Sequence, residues 1–181
     1  MQNLISLKYI RKESHIKIFK TLYVKLLLWF VGRALQGASR FDAEIQSEIA
    51  SFDRKGLVFI LKVYPAGPAM CIKEDNGRFK FIGSSYNEDE ADVVIMLKSI
   101  DAAFLLLTFQ EGTAVSSCRN RLVARGDLDL VLSLVRCLNI VEVYLLPKII
   151  AKLALKQYPV WDFKRKHMGR IRLYFKTITG I

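Results

Sequence analysis

The sequence predicts an α+β fold, in which about five short strands form a mostly antiparallel sheet packed with helices. Helical periodicity of the apolar residues dominates before residue 53 and after residue 127, whereas the stretch between them is rich in β-branched and aromatic residues. Asn76-Gly77 separates two strand-like runs and is a strong hairpin signal. Strands that follow one another along the chain, with helices grouped at its ends, are typical of α+β layers.

The charge of the chain is unevenly distributed. Residues 1–40 hold 8 Lys/Arg against 1 acidic residue (+7), residues 41–147 hold 11 against 15 (−4), and residues 148–181 hold 9 against 1 (+8). We therefore expect three parts: a basic amphipathic helix at 1–40, a central domain at 41–158 and a basic aromatic tail at 159–181. Basic arms of this kind attract anionic lipid surfaces or nucleic acid phosphates.

The first part is expected to be one long helix, capped by Ser14 and ended by Gly37, with Gly32 weakening its last turn. Its uninterrupted apolar run, 26–31, is far shorter than the roughly 20 residues that cross a bilayer. The helix suits an anionic membrane surface. Packing on its own domain, with the lysines in water, is the alternative, and both can hold in different states. The candidate membrane contacts are Lys17, Lys20, Lys25, Leu26, Trp29 and Phe30.

The central part begins with a second amphipathic helix that ends near Phe52. We expect a helix capped by Ser99 at 100–109 and a turn at 112–117. Pro147 suits the first turn of a later helix at 148–157. The strands are expected at 57–64, 70–73, 78–82, 91–97 and 120–125.

Residues 121–127 carry the firmest local prediction. A short strand is followed by Gly126, which tolerates the positive φ of a sharp strand exit, and by Asp127, a good N-cap for the apolar helix from Leu128 to Leu138. A phosphate-binding turn is a weaker interpretation, because a nucleotide loop needs several glycines and only one is present here.

No catalytic motif appears in the sequence, so we do not expect an enzyme. Ser116-Ser117-Cys118 offers nucleophile types, but the central part contains no histidine. The acidic cluster Glu88–Asp92 is interpreted as a solvated loop, and we expect neither a metal nor a cofactor. The three cysteines form no CxxC pair and suit free thiols in a reducing cytoplasm.

The sequence has more apolar helix surface than five short strands require. A well-filled core is one explanation, and an apolar ligand cavity is the other. The candidate lipid-binding residues are Phe104, Leu107, Leu130, Leu134, Leu138, Ile149 and Leu153.

The run Ala91-Asp92-Val93-Val94-Ile95, a short helix, and then the run from Asn120 to Leu130 together resemble the sterol carrier protein type 2 family. The resemblance covers about residues 41–157. Within the family, Arg121-Leu122-Val123 before Gly126-Asp127, followed by Leu145-Leu146-Pro147-Lys148, most resembles the bacterial accessory factors of anaerobic ubiquinone biosynthesis. The resemblance implies a sterol-carrier-like lipid-binding domain in which sheet and helices enclose an apolar tunnel.

Together these observations lead us to expect a non-enzymatic accessory protein, cytoplasmic and peripherally membrane-associated. It would hold an isoprenoid quinone intermediate or another long-chain lipid and present it to membrane-associated enzymes, for which the enzymes of quinone biosynthesis are the candidates. The alternative is a nucleic-acid-binding protein that uses the basic arms. The acidic centre and the lack of a base-reading motif argue against nucleic acid as a partner.

Overall fold

A computed structural model of the chain describes residues 2–108, 110–145 and 172–174, with side chains from residue 16 onward. The helices are α1 (Gln2–Ala38), α2 (Ala43–Ala50), α3 (Ile100–Leu107), α4 (Thr113–Cys118) and α5 (Leu128–Leu145). The strands are β1 (Val58–Val63), β2 (Ala69–Asp75), β3 (Arg78–Gly83), β4 (Val93–Leu97) and β5 (Leu122–Gly126).

The five strands form one sheet in the order β3-β2-β1-β4-β5. β1 and β4 pair in parallel, and the other three pairs are antiparallel. The predicted α+β class with a five-stranded, mostly antiparallel sheet is therefore confirmed. The predicted hairpin is present as well, since Asn76 (φ 53°) and Gly77 (φ 75°) both have the positive φ of a tight turn between β2 and β3.

The two faces of the sheet bury different sets of side chains, because side chains alternate between the faces along a strand. On β1, Phe59, Leu61 and Val63 belong to the main core beneath the helices. Ile60 points to the opposite face, where it joins a small cluster with Cys71 and Val94. The main core lies on the helical side of the sheet.

The second half of α1 is part of that core. Val24, Leu28 and Leu35 are fully buried. At Gly32 a Cβ atom would lie 2.6 Å from Cδ2 of Phe81 and 2.9 Å from Cγ of Met70. Gly32 therefore lets α1 approach the sheet closely, a benefit that offsets the low helix propensity of glycine.

Two local predictions were wrong. Ser14 is not an N-cap, because α1 already begins at Gln2; no glycine or proline interrupts residues 2–13, so nothing local starts the helix at Ser14. Residues 113–118 form helix α4 rather than a turn. That segment is organised by Glu111, whose carboxylate accepts from the hydroxyl of Ser116 at 3.2 Å. The predicted helix at 148–157 lies outside the described residues.

Other local predictions were confirmed. The hydroxyl of Ser99 accepts from the N–H of Ala102 at the start of α3, and the carboxylate of Asp127 accepts from the N–H of Asp129 at 2.8 Å. Gly126 has φ 119°. A Cβ atom on Gly126 would lie only 2.2 Å from the carbonyl oxygen of Asp92, so β5 can pair with β4 here only through a glycine.

We predict that Gly126→Ala lowers the free energy of unfolding much more than Gly83→Ala does. Gly83 has nearly the same φ, 118°, but nothing lies within 4 Å of its would-be Cβ. Both variants carry the backbone penalty of more than about 1 kcal/mol, and only Gly126→Ala adds a steric cost of about 1–3 kcal/mol. Urea unfolding of the two variants measures the difference. Equal losses would contradict the close contact between β5 and β4.

Candidate binding cavity

An apolar cavity of about 160 Å³ lies between the helices and the inner face of the sheet. Leu61 of β1 and Ile95 of β4, two adjacent central strands, form part of its wall. The facing helices contribute Leu27, Phe30 and Val31 from α1 and Val135, Leu138 and Leu145 from α5.

The sequence places these side chains on one side of each helix. Leu27, Phe30 and Val31 are spaced i, i+3 and i+4, so they share one face of α1. On α5 the spacing from Val135 to Leu138 is the same. The cavity is therefore formed by ordinary amphipathic faces that do not fill all of the space between them.

Three polar side chains interrupt the apolar wall: Thr113 of α4, and Asn139 and Glu142 of α5. Glu142 is the only ionisable residue among the described residues that line the cavity. Burial raises the pKa of its carboxyl group to about 7. In the described part of the chain no side chain or backbone group forms a hydrogen bond or an ion pair with this carboxyl.

A buried hydrogen bond fixes the position of α5. Asp42, 2% exposed, caps α2 by accepting from the N–H groups of Glu44 and Ile45 with one carboxylate oxygen. Its other oxygen accepts from the hydroxyl of Tyr144 at 2.6 Å. The aromatic ring of Tyr144 packs edge-on against Phe41, with centroids 5.8 Å apart. The last turns of α5, which carry Glu142, are thus tied to the start of α2.

Residues 172–174 are helical and lie close to two residues that line the cavity. The side chain of Leu173 is fully buried. The hydroxyl of Tyr174 donates to the carbonyl oxygen of Leu145 at 2.9 Å, and its ring lies 6.4 Å from that of Phe30. A short piece of the basic aromatic tail therefore contacts the residues that form this part of the cavity wall.

The candidate lipid-binding residues fall into three groups. Leu107 and Leu138 line the cavity. Leu134 is fully buried in the main core, and Phe104 and Leu130 pack partly buried against that core. Ile149 and Leu153 lie outside the described residues. Lipid contact by any of them stays a prediction.

Sequence reasoning missed Leu27, Val31 and Glu142. It also placed Phe30 among the membrane contacts, although the structure places it in the cavity wall. The spacing of Leu27, Phe30 and Val31 shows that they share a face of α1, but not that this face points inward. For Glu142 no such signal exists, since a glutamate in a helix is normally exposed.

The other candidate membrane contacts are spread over more than one side of α1. Lys17 and Lys25 are exposed, as are Leu26 (59%) and Trp29 (44%). Lys20 forms an ion pair with Asp101 and lies over the ring of Phe104. Exposed apolar residues continue along the helix, namely Ile16, Ile18, Phe19 and Leu22. The helix therefore has one buried side and one exposed apolar side.

The residues that first suggested other chemistry have structural partners. Glu88 pairs with Lys62, and Asp92 pairs with Arg54 at 3.0 Å while it accepts from the N–H of Val58. Ser116 is fully buried. No group of three or more potential ligand residues is placed to hold a metal ion within the ranges described. None of the helices there combines the length and apolar content needed to span a bilayer.

No protein-family model matches the sequence, and no curated protein matches it. Among solved structures, the chain is similar to one named UbiJ-SCP2 ubiquinone synthesis protein, with 15% identity, a TM-score of 0.43 and coverage of 70% of this chain and 99% of that one. It is also similar to sterol carrier protein domain 2 of Helicoverpa armigera (18%, TM-score 0.43, 61% and 84%). A third is sterol carrier protein 2 like 2 from Aedes aegypti (16%, TM-score 0.34, 55% and 94%). These are similarities of structure only.

We predict that the stability of the protein falls as the pH rises through about 7, because the folded state holds the Glu142 proton more tightly than the unfolded chain, whose carboxyl has an ordinary pKa near 4.5. The contribution of the Glu142 carboxyl to stability is complete below about pH 4.5 and is lost as the pH rises to about 7. Glu142→Gln cannot ionise and should be more stable than the wild type at pH 8 by about 2–3 kcal/mol.

Urea unfolding at pH 4 and pH 8 measures this effect. At pH 4 the two proteins should be nearly equally stable. Asp89→Asn removes an exposed carboxylate and should leave the difference between the two pH values unchanged. A Glu142→Gln protein with the same pH dependence as the wild type would show that this carboxyl is well solvated.

Proposed function

We propose that the protein is a non-enzymatic lipid-binding protein that holds part of a long-chain lipid in the cavity between α1, α5 and the sheet. The observation that supports this most is the cavity wall, which is apolar apart from Thr113, Asn139 and Glu142. Small-molecule pockets have this composition, in which apolar surface supplies affinity and a few polar groups give orientation.

The size of the cavity limits what it holds in this conformation. At about 160 Å³ it is close to an engineered apolar cavity of about 150 Å³ that stays dry and binds one benzene molecule. One ring or one short chain segment therefore fits, and the rest of a longer lipid has to extend beyond it or widen it. Burying such a segment is favourable by about 25 cal/mol per Å² of apolar surface.

The proposed ligand is an isoprenoid quinone intermediate or a lipid of similar length, presented to membrane-associated enzymes. The ground for the quinone class is the resemblance carried by residues 120–130 and by Leu145-Leu146-Pro147-Lys148. The ligand class and the enzyme partners are expectations from that resemblance. The cavity supports a lipid of some kind.

We further propose that the outer side of α1 contacts an anionic membrane surface. Leu22, Leu26 and Trp29 are exposed on one face of the helix, and Lys25 lies beside them. Lys17 is exposed nearer the start of the helix. Apolar insertion combined with attraction of basic residues to anionic lipids is how amphipathic helices bind in the interface. The cavity wall is formed by the opposite side of the same helix, so membrane and ligand would lie on either side of α1.

We predict that Val135→Trp, which puts a large side chain into the cavity, lowers the lipid content of the purified protein by at least about tenfold, a loss of 1.4 kcal/mol. Leu132→Trp is the matched control, since Leu132 lies on the same helix and is 44% exposed. Mass spectrometry of a solvent extract measures the lipid, after circular dichroism shows that both variants are folded.

Wild type and Leu132→Trp should carry a long-chain lipid at near-stoichiometric amounts. A wild-type protein that is empty in several gentle preparations, and that takes up no added lipid, would overturn the proposed function. Equal lipid content in a folded Val135→Trp protein would place the ligand elsewhere.

For the membrane, we predict that the double change Leu26→Ser and Trp29→Ser removes the salt-resistant part of binding to vesicles that contain anionic lipid. The salt-sensitive part, due to the basic residues, should remain because screening acts on charges and not on apolar insertion. Co-sedimentation at low and high salt measures both parts.

The control is Leu128→Ser with Leu132→Ser, which removes two exposed apolar residues from α5 instead (68% and 44% exposed). This variant should bind as the wild type does. Tight binding to duplex DNA together with no vesicle binding would favour the nucleic acid alternative.

A further inference from the structure

We propose that Glu142, with Asn139 beside it, is the head-group site of the cavity and selects lipids whose buried end carries an un-ionised hydroxyl group over lipids that end in an anion or in a purely apolar group. The inference rests on the proposed lipid-binding function and specifies the chemistry of its ligand.

The geometry supplies two hydrogen-bonding groups on one side of the cavity. Asn139 and Glu142 are three residues apart on α5 and therefore share a face of the helix, the same face that contributes Val135, Leu138 and Leu145. An amide and a carboxyl together offer both donors and acceptors. A hydroxyl group, which donates once and accepts twice, matches this pair.

Glu142 interrupts an otherwise apolar row, and that position costs stability unless something compensates. Glu142 is partly buried, and a polar group that loses part of its hydration without gaining a hydrogen bond is destabilising. In the described part of the chain no protein group forms a hydrogen bond with its carboxyl. Hydrocarbon beside it would leave the carboxyl unsatisfied, whereas the hydroxyl of a ligand would satisfy it.

The charge around the cavity argues against an anionic head group. The basic side chains of neighbouring elements are bound elsewhere: Arg119 and Arg121 pair with Glu111, and Arg125 donates to the carbonyl oxygen of Glu88. On α5 itself, Arg136 pairs with Glu48. If Glu142 is ionised, no basic side chain of the described residues therefore lies between its carboxylate and an anionic head group.

The charged groups of the other elements near the cavity are exposed or contact protein groups, and Arg172 of the helical segment 172–174 is exposed. On α1, Lys25 is exposed, and the guanidinium of Arg33 lies 3.5 Å from the side-chain oxygen of Gln36. The same oxygen of Gln36 accepts from the N–H of Phe81 in β3. At the start of α3, Asp101 pairs with Lys20. Cys137 of α5 stays a neutral thiol, because burial raises its pKa to about 12. Glu142 is then the group whose ionisation near neutral pH changes the charge of the cavity.

The pH therefore distinguishes the two kinds of ligand. Because the pKa of Glu142 is about 7, its carboxyl is mostly neutral at pH 6 and mostly ionised at pH 8.5. An ionised carboxylate accepts a stronger hydrogen bond from a hydroxyl, so binding of an alcohol persists or tightens as the pH rises. Binding of a fatty-acid anion weakens over the same range, because two like charges are then buried together.

The experiment uses three probes with one chain length: 1-decanol, decyl methyl ether, which lacks the donor, and decanoate. Binding to the delipidated full-length protein is measured by calorimetry at pH 6 and pH 8.5. We expect the wild type to bind decanol at least about tenfold more tightly than the ether at pH 8.5, and decanoate at least about tenfold more weakly at pH 8.5 than at pH 6.

Glu142→Leu should bind decanol and the ether equally, and Glu142→Gln should bind decanoate equally at both pH values. Thr113→Val, a polar residue of the same cavity on α4, should keep the pH dependence of the wild type. A wild type that binds all three probes alike, at both pH values, would overturn the head-group site and leave the lipid-binding function intact. Failure to bind any of the probes, or any longer lipid, would overturn both.

Discussion

The hydrogen bond between Asp42 and Tyr144 is the interaction on which the cavity depends. It joins residues 102 positions apart, and both partners are nearly inaccessible to water. The same carboxylate caps α2 directly after α1 ends, so one buried side chain sets where α2 starts and where the last turns of α5 lie. A buried carboxylate that accepts several hydrogen bonds is stable, whereas one that loses a partner is costly. The Asp42–Tyr144 hydrogen bond, a strongly directional contact, therefore fixes the position of α5 relative to α2.

Close packing elsewhere makes the cavity a local exception. Gly32 brings α1 against β2 and β3, and Gly126 brings β5 against β4 without space for one more methyl group. Between these two tight contacts, the side chains from α1 and α5 meet Leu61 and Ile95 and leave a gap. A core of this size would be expected to close such a gap, because empty apolar space forfeits dispersion contacts. The gap and Glu142 on its wall distinguish this protein from a two-layer α+β fold with a filled core.

A structural feature could be predicted from the sequence where neighbouring residues alone determine it. The Asn76-Gly77 hairpin, the Ser99 cap and the Gly126-Asp127 corner follow from the chemistry of two or three neighbouring residues, and each was found from the sequence. The start of α1 and the helix at 113–118 were missed because propensity alone does not decide them. Whether Phe30 and Glu142 face inward depends on which side of each helix packs against the sheet, and tertiary packing decides that.

The order in which the chain leaves the ribosome matters for a cavity built in this way. α1 is made before the five strands and α5 after them, and the two helices form opposite walls of one space. Contacts between segments so far apart carry a large loop-closure cost and form late. Until α5 docks, the inner row of α1 and one face of the sheet are both open to water. The nascent chain therefore exposes an aggregation-prone apolar surface from the time α1 is made until α5 docks.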